Sequence, residues 1–201
     1  IGLNIDNGEI VNKTFPKQGG LDALVIVYPN GGVAVSNLKE GNLKLAGCNA
    51  TPGKLYDIRG SSLDFAKFLK WATCANVTVF QTHLLAWKNK IDIGKNNSSS
   101  TSQERRFLVI GYNPDGDPIH CIINKPKAEP LYDAAEKALK LLQEIEGINV
   151  IAICNLDTGA QNVVKLFTPS GKENLSIKSG VYSGKALDLS NCRNLLVYYY
   201  H

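Results

Sequence analysis

Val150-Ile151-Ala152-Ile153-Cys154-Asn155-Leu156-Asp157-Thr158-Gly159-Ala160-Gln161 is the stretch on which the reading of this chain turns. Its apolar run is long enough for a buried strand and too short for a helix of ordinary length. The strand ends in a polar turn that sets one carboxylate, Asp157, beside a glycine. Gly159 leaves backbone exposed there, where a ligand can come close. Asp-x-Gly is also ordinary turn chemistry, so the residues alone leave open a solvated turn.

The elements on either side fill in the fold. Upstream, Pro130 precedes a helix predicted over 131–146, with Leu131, Ala134, Ala135, Ala138, Leu141, Leu142 and Ile145 at helical spacing and Gly147 as the stop. Before it, 106–112 and 118–123 alternate around Asn113-Pro114-Asp115-Gly116, which reads as a hairpin. A polar stretch of low complexity, 95–104, reads as a mobile loop. Further back, 77–82 reads as a strand followed by Leu84-Leu85-Ala86-Trp87. Ser61 and Asp64 resemble a capping box opening a helix through Thr73. Residues 23–28 and 33–36 form a second hairpin around Pro29-Asn30-Gly31-Gly32, with weaker strands at 43–46 and 54–58. The first 20 residues are turn-rich. Downstream, 162–167 and 195–200 read as strands. The class is therefore α+β: a mixed or antiparallel sheet built from hairpins and flanked by two main helices, about 61–73 and 131–146, in a single domain over 1–201.

Composition narrows the function. A formal charge of +4 is only mildly basic, and the Lys and Arg are dispersed. That argues against nucleic acid as a partner. No run of 18 apolar residues suggests a transmembrane segment. There is no Met, and the chain begins at Ile1, as a processed or trimmed product does. Of five cysteines, Cys121 and Cys154 lie in apolar runs and read as core residues. Cys48 and Cys74, or one of them with Cys192, are candidates for a disulfide in an oxidising compartment. Sequons at Asn12, Asn49, Asn76, Asn96, Asn97 and Asn174 permit a glycoprotein. No spacing suggests a metal site, and no cofactor motif is present, so none is expected.

Several motifs, taken in order, resemble one family. They are Tyr28-Pro29-Asn30-Gly31-Gly32-Val33, then Val79-Phe80-Gln81-Thr82-His83-Leu84-Leu85, then Arg105-Arg106 ahead of the Asp115-Gly116 hairpin, then a helix, then Asn155-Leu156-Asp157-Thr158-Gly159. Over most of 2–170 this resembles the phosphodiester glycosidases, the family that includes the enzyme uncovering mannose 6-phosphate by removing N-acetylglucosamine. The sequence departs from the family pattern at three places. His83 stands where a Pro is usual, Thr158 replaces the first Gly of a Gly-Gly pair, and Gln161-Asn162 replace small hydroxyl residues. The family's upstream Asn-x-Gly strand is also missing, so an N-terminal fragment or partner chain is expected to complete the domain.

The resemblance implies a glycoside hydrolase that cleaves a sugar-phosphate diester in extracytoplasmic glycans, secreted or periplasmic, with a carbohydrate or sugar-phosphate ligand. Such chemistry needs a cation for the phosphate and a group to move protons. Arg106 offers a planar fork suited to phosphate, with Arg105 as the fallback. Asp157 is the candidate acid/base, and His83 the candidate proton donor to the leaving phosphate. Gln81, Asn155, Thr158 and Gly159 are expected to bind substrate. The other reading is a non-catalytic secreted glycan-binding or structural protein that keeps the fold.

Overall fold

The computed structural model describes residues 2–15, 20–41, 43–95, 103–156, 163–167 and 173–178. The chain divides into two compact units, 1–156 and 157–201. In the second, β13 (Val163–Phe167) and β14 (Glu173–Lys178) form an antiparallel hairpin.

The first unit is α+β, and its strands fall into two five-stranded sheets. The first sheet is ordered β2-β1-β7-β3-β4, from β1 (Asn4–Asp6), β2 (Glu9–Asn12), β3 (Ala23–Val27), β4 (Val33–Asn37) and β7 (Thr78–Thr82). The second is ordered β11-β10-β12-β8-β9, from β8 (Leu84–Trp87), β9 (Lys90–Ile91), β10 (Gln103–Tyr112), β11 (Pro118–Glu129) and β12 (Asn149–Leu156). All these pairings are antiparallel. A small ladder joins β5 (Leu43–Lys44) to β6 (Leu55–Tyr56).

Alternation along each strand explains the layering. On β3, Leu24 and Ile26 enter a core with Phe68, Trp71 and Ala72 of α1 (Ser62–Cys74). Ala23 and Val25 instead meet Leu84, Leu108, Ala152 and Cys154 of the second sheet. On β10, Leu108 belongs to this inter-sheet layer, whereas Phe107 and Val109 pack under α2 (Leu131–Glu144) against Ala134, Ala135, Ala138 and Leu142. The order of layers is α1, first sheet, second sheet, α2. Between β7 and β8 the chain crosses from one sheet to the other, and His83 is the single residue at that corner.

Three expectations change. The first 20 residues are not merely turn-rich: β1 and β2 form a hairpin, with Asn7 (φ 45) and Gly8 (φ 81) in the mirror-image turn that suits strand twist. β10 begins at Gln103, so the loop expected over 95–104 stops short of the last two positions, while 96–102 lie outside the described residues. On α2, Leu141 is 42% exposed at the edge of the buried stripe, and Ile145 is 70% exposed because it lies past the last turn. Ser61 caps α1 as the sequence suggests, accepting from the Asp64 N–H at 3.1 Å. The strand at 195–200 lies outside the described residues.

Candidate functional site

Neighbouring strands of the second sheet bring the backbones of His83, Asn155 and Arg106 into one strip. At the β7–β8 corner the His83 carbonyl accepts from the Asn155 N–H at 2.9 Å. One residue further along β12, Leu156 lies opposite Arg106 on β10, and Arg106 lies opposite Asn124 on β11. Adjacent strands are about 4.8 Å apart, so the His83 and Arg106 backbones stand about 10 Å from each other. The Thr82 hydroxyl donates to the Asn155 carbonyl, tying the end of β7 to β12.

Arg106 shares the inter-sheet face of β10 with Leu108, two residues on, and is 7% exposed. Its Nη2 donates to Asn124 Oδ1 at 3.2 Å. Burial pushes the guanidinium below its ordinary value, with Glu104 acting in the opposite sense. Desolvating a cation disfavours its charge, so an approaching anion gains more here than at a surface arginine.

His83 is half-buried, and its Nδ1 lies 2.8 Å from the Gly20 carbonyl. A carbonyl only accepts, so Nδ1 carries the proton in this contact. Nε2 is then the basic nitrogen of the neutral ring, or the second proton donor of the imidazolium. Gly20 suits the contact twice over. Its φ is +82, and an added Cβ would sit 3.2 Å from Nδ1. A polar strut holds the next residues: Arg59 donates to Asp22 Oδ1 and to the Leu21 carbonyl, each at 2.7 Å, and Lys39 bridges Asp22 and Asp92.

Arg105 and Gln81 are directed elsewhere. Arg105 alternates to the α2 face, 4% exposed, and its Nε donates to the Glu129 carbonyl at 3.3 Å. The Glu129 carboxylate holds Lys125 at 2.7 Å and Lys137 at 2.6 Å. Glu129, Lys125 and Lys137 line a groove of about 300 Å³ between α2 and β11, which Asn124 also borders. Gln81 sits on the α1 face of the first sheet. Its Oε1 accepts from the Leu3 N–H at 3.1 Å and its Nε2 donates to the Leu21 carbonyl at 2.8 Å. Gly2 permits this approach, since a Cβ there would lie 2.5 Å from Oε1. Asn155 pairs with Phe107, which puts its side chain on the α2 side. Asp157, Thr158 and Gly159 lie outside the described residues.

Asn124, the Gly20 carbonyl and the Asp22–Arg59 strut were not among the expected residues. Asn124 was within reach of the sequence: once Tyr112 is paired with Pro118 across the turn, counting back puts Asn124 opposite Arg106. The Gly20–His83 contact spans 63 positions and joins two sheets, so no local pattern carries it. Trp87 packs on the inter-sheet layer and donates to Glu40 at 2.7 Å. Cys154 is fully buried, and burial pushes its thiol up to about 12, as suits a core residue. Among the described residues no helix is long and apolar enough to cross a membrane. No protein-family model matches the chain, and no curated protein matches it.

Proposed function

We propose that this chain is a glycoside hydrolase acting on a glycosyl phosphodiester in extracytoplasmic glycans. The observation that carries the reading is the buried Arg106 guanidinium two strands from an imidazole anchored through Nδ1. In this reading Arg106 binds the phosphoryl oxygens of the diester. The imidazolium of His83 passes its Nε2 proton to the departing phosphate oxygen as the anomeric C–O bond breaks, and water adds at the anomeric carbon. Asp157, from the family resemblance, supplies a carboxylate to stabilise the sugar or take the proton of that water.

The test is hydrolysis of N-acetylglucosamine-1-phospho-6-mannose by the purified chain beside Arg106→Ala and Asp157→Asn. Each variant is expected to lose at least about 100-fold in turnover, the scale for removing an electrostatic or acid/base group. Full activity in both variants removes the site from this reading.

A second reading, a non-catalytic glycan-binding protein, draws on Gln81, whose amide is committed to backbone groups rather than to a ligand. It predicts no turnover by the unmodified chain, with binding of the same diester in calorimetry that Arg106→Ala weakens.

A further inference from the structure

Far from the His83–Arg106 strip, on the outer side of α1, two cysteines meet. Cys74 is the last residue of α1, and Cys48 lies in the loop between β5 and β6. The loop is fastened to the helix one turn earlier, where Trp71 Nε1 donates to the Ala46 carbonyl at 2.9 Å. It then turns tightly, with Ala50 N–H donating to the Gly47 carbonyl at 3.0 Å. Asn49, next to Cys48, lines one surface groove with Thr73 and Cys74.

Both thiols are exposed, and the residue after Cys48 shares its groove with Cys74, so the two cysteines stand at one spot on the surface. Cys48 is held at φ 44, in the left-handed region. That conformation is costly for a residue with a Cβ and without the short polar group that lets Asn adopt it, and such outliers gather at functional positions. The hydrogen bond between Trp71 and Ala46 therefore holds a strained, solvent-reachable cysteine near a second one. The hydrogen bond to Cys74, with a smaller contribution from burial, pushes the Cys48 thiol above its ordinary value.

We propose that Cys48 and Cys74 form a reversible disulfide that locks the β5–β6 loop to the end of α1. The oxidant is a small-molecule disulfide of the glutathione class. One of the two protein thiolates attacks one of its sulfurs, forms a mixed disulfide and expels one thiolate. The other protein thiolate then attacks the protein sulfur of the mixed disulfide and expels the second. The protein loses two hydrogens and the oxidant becomes two thiols, so atoms and electrons balance. Neither cysteine belongs to the proposed hydrolytic site, so this inference stands independently of that one.

The experiment uses the full chain, reduced, then incubated with oxidised glutathione and digested without reductant. A Cys48–Cys74 linked peptide is expected, with two fewer titratable thiols. The closed loop of about 25 residues should raise the melting temperature by about 6–12 °C, reversed by dithiothreitol. Cys48→Ser and Cys74→Ser should each abolish the rise, and Cys121→Ser should keep it. Glutathione adducts without the crosslink, or a peptide linking Cys48 or Cys74 to Cys192, would overturn the assignment.

Discussion

Gln81 on β7 and Arg106 on β10 are almost equally buried, at 8% and 7% exposure, and both sit in central strands. They answer burial differently. The Gln81 amide is neutral and closes on two backbone groups, the Leu3 N–H and the Leu21 carbonyl, so its place is explained by folding alone. Arg106 carries a charge that burial disfavours, with Glu104 acting in the opposite sense, and its Nη2 donates to Asn124 Oδ1. The lesson is that depth of burial does not separate structural from functional polar residues. The chemical group separates them: hydrogen bonds satisfy a neutral amide in full, whereas a buried cation also has its charge desolvated. The α1 layer with Gln81 is thus the scaffold side of the comparison, and Arg106 is the side that the proposed function makes testable.

The largest effect expected from breaking the scaffold side comes from Trp71→Ala. Trp71 is 1% exposed, with ring centroids 5.8 Å from Phe68 and 6.4 Å from Tyr28. Chemical denaturation should register a loss of about 3–5 kcal/mol. A loss below about 1 kcal/mol would mean that the α1 layer contributes little to folding.

Arg106→Ala comes next, about 100-fold in turnover or about 2.7 kcal/mol of transition-state stabilisation. Denaturation of the same variant checks the comparison, because a purely structural arginine would lose stability and activity together. Gln81→Ala should do the reverse. It leaves the Leu3 N–H without its acceptor, at a cost of about 1–3 kcal/mol, while turnover at a temperature well below melting stays near that of the unmodified chain. Lost turnover with unchanged stability would move Gln81 into the site and end the contrast.

The smallest effect concerns acid. Burial pushes the Glu129 carboxyl up, but hydrogen bonds and ion pairs with Lys125 and Lys137 outweigh it and hold the group below its ordinary value. A carboxylate depressed in the folded state contributes stability that is fully present above the unfolded value, about 4.3. That stability is lost as pH falls through the lower folded value. The melting temperature should therefore drop between about pH 5 and pH 3, and Glu129→Gln should shallow that drop without changing its sign. An identical acid limb in the variant would show that these ion pairs are too solvent-screened to matter.

Much of the fold was legible because its signals are local. Asn113–Gly116 and Asn30–Gly32 announce hairpins, Ser61 with Asp64 announces the start of α1, and the alanine-rich stripe of 134–142 announces the buried face of α2. Signals that break local custom were harder to read. Lys88 and Asn89 both take positive φ to turn β8 into β9, a pairing without the usual glycine. It holds because Asn89 Oδ1 accepts from Val150 N–H on the neighbouring strand at 2.8 Å.

The same division runs through the candidate site. Residue types and their order were enough to nominate Arg106 and His83, because a planar cation and a titratable ring are chemical facts about side chains. Which face each side chain occupies depends on strand register, and register decides at a step of one residue. That step sends Arg105 under α2 and Arg106 between the sheets. The strand elements, their hairpin turns and the α+β class follow from periodicity and turn chemistry along the chain. The split into two sheets, the corner at His83 and the closing of Gln81 on the backbone of two distant segments belong to tertiary structure. They depend on contacts across 60 or more positions, between Gln81 and Leu21, His83 and Gly20, and Gln81 and Leu3. No periodicity within a single element encodes such contacts.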